Sequence, residues 1–143
     1  MWSFGNVDIS NFMAPPVWVN GTVYVTDYFT IRALDPATGH VRWNHTYPVP
    51  HRLDGASPAV GSSGLFFCDE DGYLYRLDAH TGEQLWKMHL PVMDTPTIAS
   101  DGTVYLALTN QSTVLAMHPN GSVQWALVSG GHVAFRLWGG AVF

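Results

Sequence analysis

An all-β fold is predicted by three features of this 143-residue chain. Turn-forming residues recur about every 8–12 positions, the rhythm of short antiparallel strands. No long segment carries the apolar period of an amphipathic helix. Aromatic residues make up 13% of the chain, six of them Trp, against only 12% charged residues. Wide, flat side chains suit the faces of packed sheets. The apolar share of 47% is enough for a sizeable core and argues against disorder.

The elements can be read in order in the middle of the chain. Pro58-Ala59-Val60 makes a short first strand, turned by Ser62-Ser63-Gly64. Leu65 to Asp69 forms the second. Glu70-Asp71-Gly72 turns it back, Asp-Gly supplying the positive-φ residue of a tight hairpin. Tyr73-Leu74-Tyr75-Arg76-Leu77 is the third strand, Asp78 to Gly82 the next turn, and Glu83 to His89 the fourth strand.

This four-strand unit repeats. Tryptophans stand at 2, 43, 86 and 125, separated by 41, 43 and 39 residues. A common turn precedes three of them: Ala33-Leu34-Asp35-Pro36-Ala37-Thr38-Gly39 before Trp43, Arg76-Leu77-Asp78-Ala79-His80-Thr81-Gly82 before Trp86, and Ala116-Met117-His118-Pro119-Asn120-Gly121 before Trp125. A second landmark keeps step in sequence, since Pro15, Pro58 and Pro96 each stand six residues before Gly21, Gly64 and Gly102. Repeats of this length with four strands each predict blades of a β-propeller. The predicted architecture is a partial propeller, an open arc of about three four-stranded antiparallel blades. The expected divisions are the end of a preceding blade at 1–12, blades at 13–51, 52–92 and 93–128, and an irregular start of another at 129–143.

The pattern Ala33-x-Asp35-x-x-Thr38-Gly39-x-x-x-Trp43 resembles the tryptophan-docking motif of the pyrroloquinoline quinone (PQQ)-like β-propeller repeat. Propellers of this family include outer-membrane assembly factors and quinoprotein dehydrogenases. The second repeat keeps Asp78, Thr81, Gly82 and Trp86 but has Arg76 at the Ala place. The third keeps Ala116, Gly121 and Trp125 and has His118 at the Asp place. The resemblance implies structural roles. Asp35 and Asp78 would tie down their turns, with Thr38 and Thr81 beside them. Gly39, Gly82 and Gly121 would leave the peptide surface bare, and Trp2, Trp43, Trp86 and Trp125 would dock on the next blade.

Three blades do not close a ring, so the expected partners are further blades of the same propeller or other copies of the chain. Trp2 standing where a blade should end makes a piece of a larger propeller the favoured expectation.

Net charge is −5 and the six Lys and Arg are scattered, so a nucleic-acid footprint is not predicted. No stretch has the length of a membrane-spanning segment, and the first residues lack the features of a signal peptide. The one cysteine, Cys68, lies in a second strand with Phe66 and Phe67 and reads as core. Asp69-Glu70-Asp71-Gly72 reads as a solvated hairpin turn rather than a calcium loop, and His40, His80 and His118 as rim residues. No catalytic, cofactor-binding or metal-binding residue is assigned. Four sequons, at Asn20, Asn44, Asn110 and Asn120, favour an extracytoplasmic setting, periplasmic or secreted, although Asn-Gly-Thr and Asn-Gly-Ser are also ordinary turns.

The expected function is a non-catalytic module for protein binding or scaffolding, its partner on a rim where Tyr28, Phe29, Tyr47 or Tyr73 could serve. The alternative is a fragment of a PQQ-dependent alcohol or sugar dehydrogenase.

Overall fold

The computed structural model describes residues 14–47, 53, 57–92, 95–108 and 113–128. Trp2, Asn110 and the segments 1–12 and 129–143 lie outside the described residues. Twelve strands form three four-stranded antiparallel sheets. The first contains β1 (Val17–Val19), β2 (Thr22–Thr26), β3 (Thr30–Leu34) and β4 (Val41–Thr46). The second contains β5 (Ala59–Gly61), β6 (Gly64–Cys68), β7 (Tyr73–Leu77) and β8 (Gln84–His89). The third contains β9 (Thr97–Ile98), β10 (Val104–Leu108), β11 (Thr113–Met117) and β12 (Val123–Val128). In each, spatial order follows chain order, the meander that short turns impose.

The sheets are arranged as wedges. β1 approaches β5 and β5 approaches β9, whereas among the described residues no such approach joins β4 to β8 or β8 to β12. First strands therefore converge and fourth strands splay. The burial pattern follows from this. The middle strands β2, β3, β6 and β7 are covered on both faces and read as nearly continuous buried runs. β4 and β8 alternate between exposed and half-buried residues. One apolar cluster joins the first and second sheets through Tyr24, Ile31, Leu65, Phe67 and Leu77. Another joins the second and third through Phe66, Leu74, Val104, Leu115 and Met117. The three sheets do not close on themselves: they are blades of an open propeller arc.

A bulge recurs at one place in every blade. Trp43 faces Ala33 while Val41 faces Leu34, which leaves Arg42 as the extra residue. Leu85 and Gln124 are extra in the same way, beside Trp86 and Trp125. The bulge turns the fourth strand just where its indole must be aimed out of the sheet.

The first hairpin of each blade differs, and this corrects the second landmark. Asn20-Gly21 is a two-residue turn with φ of 48° and 71°, the pair of positive values a type I′ turn needs. In the second blade Ser62-Ser63 turns and Gly64 already pairs with Gly61 in the ladder. In the third, Ala99 and Thr103 close a longer loop that contains Gly102. The strand registers therefore place Pro16, not Pro15, at the position of Pro58 and Pro96. They also make Gly64 the equivalent of Thr22 and Thr103 rather than of Gly21 and Gly102. Equal spacing in sequence concealed a one-residue offset of the leading proline in the first blade and a loop one residue longer in the third.

Candidate functional site

The described polar chemistry gathers at the joints between blades and along the rim that carries the third-to-fourth-strand turns. At the first joint, Trp43 Nε1 donates to the Ala79 carbonyl at 3.0 Å, and the Tyr24 hydroxyl donates to the same oxygen at 3.1 Å. Burial raises the Tyr24 phenol above its ordinary pKa, which keeps it a donor. His45 Nδ1 lies 3.0 Å from the Gly82 carbonyl; a carbonyl only accepts, so this nitrogen carries the proton. The indole lies over Gly82, where an added Cβ would stand 2.5 Å from Trp43 Cε3. At the second joint Trp86 Nε1 donates to the Pro119 carbonyl at 3.0 Å. There Met88 replaces His45, and its Cε would stand 2.5 Å from a Cβ on Gly121. Trp125 meets Tyr105 at 5.8 Å between ring centres, but its N–H has no partner among the described residues. The pairs Tyr24–Trp43 at 6.0 Å and Phe66–Trp86 at 5.9 Å occupy the same place in their blades.

The turns that receive the indoles are closed by side chains. Asp35 Oδ1 accepts from the Ala37 and Thr38 amides and the Thr38 hydroxyl, and its backbone closes the loop to Gly39 and His40. Asp78 Oδ1 accepts from the His80 and Thr81 amides. Gly39 and Gly82 take φ of 74° and 75°, which an L side chain resists. Arg42, next to these amides, holds the Asp35 carboxyl at a pKa of about 2. Hydrogen bonds from the Thr81 and His80 amides lower that of Asp78. In the third blade the turn is shorter, and Asn120 takes over the capping: its Oδ1 accepts from the Ser122 amide and hydroxyl. His118 instead receives Gln124 Nε2 at 3.1 Å.

Arg42 and Gln124, which pattern reading passed over, and Arg76, which it noted only as a departure from the motif, complete this rim. Arg42 donates to Thr22 Oγ1 and Asp35 Oδ2, both at 2.7 Å. Gln124 makes the matching reach to Thr103. The bulge position was the available signal, because it frees the residue before each Trp from the ladder. Arg76 Nε donates to the Ser63 carbonyl at 2.9 Å, and its guanidinium lies 5.9 Å from the Phe66 ring centre. A cleft of about 250 Å3 runs over this rim from Asn20 and Arg42 to Arg76, Asp78 and Leu85.

The opposite rim corrects one expectation. Asp69 is not solvated: it is 2% exposed and accepts from the Asp71 and Tyr73 amides and, at 2.7 Å, from the Tyr75 hydroxyl. Burial, with Asp69 beside it, raises the Tyr75 phenol. Glu70 and Asp71 do face water. The first blade uses Asp27 at the same place, paired with Arg32. Of the proposed rim aromatics, Tyr47 is buried against Phe67 and Tyr75. Burial raises its phenol, whose oxygen has no partner among the described residues. Cys68 is buried. Asn20, Asn44 and Asn120 are exposed. Among the described residues no three His, Cys, Asp or Glu side chains stand close enough to share a metal ion, and no helix is long and apolar enough to cross a membrane.

A family model described as outer membrane protein assembly factor BamB matches residues 1–138. The serine/threonine-protein kinase AfsK of Streptomyces griseus is 29% identical over 114 residues, 73% of this chain and 14% of that protein. The quinoprotein ethanol dehydrogenase of Pseudomonas putida is 35% identical over 83 residues, 56% of this chain and 13% of that protein. BamB from Moraxella catarrhalis shares the fold with a TM-score of 0.61 and 24% identity, covering 81% of this chain and 36% of that one. A quinohemoprotein alcohol dehydrogenase from Comamonas testosteroni does so with a TM-score of 0.66 and 23% identity, covering 82% of this chain and 21% of that one. The chain thus spans about one seventh of the length of these two curated relatives.

Proposed function

Because the chain belongs to the BamB family of PQQ-like propellers, we propose that it is a non-catalytic propeller module for protein binding or scaffolding, part of a larger ring. One observation carries this reading. The polar side chains that recur from blade to blade close turns or join blades, as Asp35, Asp78, Trp43 and Trp86 do. None of them is left converging on an enclosed space where a substrate could react. The partner would sit on a rim, where loops on a rigid scaffold vary without disturbing the core.

The second reading, a fragment of a PQQ-dependent alcohol or sugar dehydrogenase, is favoured by the 35% identity to the ethanol dehydrogenase. A quinone beside a divalent cation needs a gathered set of oxygen donors. The described residues do not fit that need. Asp69 is enclosed by its own turn and Tyr75, and Asp35 and Asp78 are occupied by turn amides. The two readings separate in one titration. Pyrroloquinoline quinone with Ca2+ is added to the full-length protein that carries these blades while Trp fluorescence and alcohol-dependent dye reduction are followed. The scaffold reading expects neither saturable quenching nor turnover; turnover would overturn it.

A further inference from the structure

The second blade departs from its neighbours at two linked places. Ala33 and Ala116 lie between an aromatic residue and the Trp of their blades; the second blade has Arg76 there, between Phe66 and Trp86. Thr22 and Thr103 hold the matching place on the second strand; the second blade has Gly64. The two changes fit each other. Gly64 has φ of 122°, and a Cβ there would stand 2.9 Å from the Leu77 carbonyl and 3.3 Å from Arg76 Nε. A side chain at 64 would displace the guanidinium. With glycine, the guanidinium is held at Nε by the Ser63 carbonyl and lies by the Phe66 ring. Its two Nη groups have no partner among the described residues, and Arg76 lines the rim cleft.

We propose that this cleft is a recognition site for an acidic side chain presented by an extended peptide, with Arg76 as the carboxylate-binding group. The assignment rests on the protein-binding reading above and names the partner's chemistry. A guanidinium fixed at Nε offers the paired Nη donors that match a carboxylate. Arg42 does not compete, because Asp35 and Thr22 hold it. Asp78 lines the same wall with its Oδ1 held by its own turn amides, and its negative charge disfavours a bare inorganic anion that brings no N–H donors of its own. Leu85, exposed at the bulge, gives the cleft an apolar border for the peptide's stem.

The test is fluorescence anisotropy of labelled acetyl-Gly-Glu-Gly-amide titrated with the full chain. Wild type is expected to bind this probe, and not its Gln counterpart. Arg76→Ala restores the residue of the other blades, so its unfolding midpoint should hold while affinity falls about tenfold or more. Arg76→Gln, which keeps a stem over Phe66, should lose binding equally, and Arg76→Lys should recover it only in part. Arg32→Ala removes the same charge from the opposite rim and should leave binding unchanged. Equal binding of the Gln peptide, equal loss in Arg32→Ala, or competition by inorganic phosphate as strong as by the Glu peptide overturns the site and leaves the scaffold reading intact. Quinone-dependent turnover overturns the reading itself, whatever the anisotropy shows.

Discussion

Single residues at the joints divide into those that tolerate an added atom and those that do not. Gly21 and Gly82 have nearly the same backbone, with φ of 71° and 75°. A Cβ on Gly21 would meet nothing within 4 Å, whereas one on Gly82 would enter the Trp43 ring. Gly21→Ala should therefore cost about 1 kcal/mol, the conformational term alone. Gly82→Ala should cost about 2–4 kcal/mol, because overpacking adds to it. Urea unfolding of both variants measures the difference. Trp43→Ala, which empties the same joint, should cost about 3–5 kcal/mol, and Trp125→Ala, with no described blade beyond it, about 1–2 kcal/mol. Asp35 supplies a pH dependence. Its folded pKa of about 2 lies below the ordinary 3.8, so its contribution is complete above that ordinary value and is lost as pH falls from about 4 towards 2. Asp35→Asn should flatten the acid limb of the urea midpoint between those values, and high salt should narrow the same limb by screening Arg42.

At the scale of strands and turns, local pattern was a good guide where a residue has one local job. The third strand of the middle blade, Tyr73–Leu77, runs where the flanking turns placed it, and Gln84–His89 differs from its reading by one residue. The Asp-x-x-Thr-Gly turns were legible because their bonds stay within the turn. What was not legible depends on distant partners. Spacing alone could not tell that Gly64 is a ladder residue and Gly21 a turn residue, since both turns have two residues and the difference lies in whether Pro15 or Pro16 is in register. Nor could it tell that Asp69 is buried while Glu70 and Asp71 are not: Tyr75 and the packed Tyr47 decide that. Arg76 was visible as a departure from the motif, but its use of Ser63 needs the folded rim.

The molecule as a whole is an open arc whose third blade presents an apolar face among the described residues. On the far face of the third blade Val114 and Leu127 are 41% and 43% exposed, while Ile31 and Leu74, the equivalents of Val114, are fully buried. That face has the side chains of an interior and the surroundings of a surface. The chain alone should therefore self-associate in sedimentation velocity, and Val114→Lys with Leu127→Lys should shift it towards monomer without lowering its unfolding midpoint. A monomeric wild type with no apolar dye binding would contradict this.

The recurring bulge has a consequence for how such a molecule can change over generations. The residue it frees is Arg in one blade, Leu in the next and Gln in the third, yet the three sheets keep the same register on either side of it. Each wedge thus carries one address whose chemistry can be rewritten by a single codon while the indole next door stays where it is. A rim lined with such addresses can diverge towards new ligands at little risk to folding.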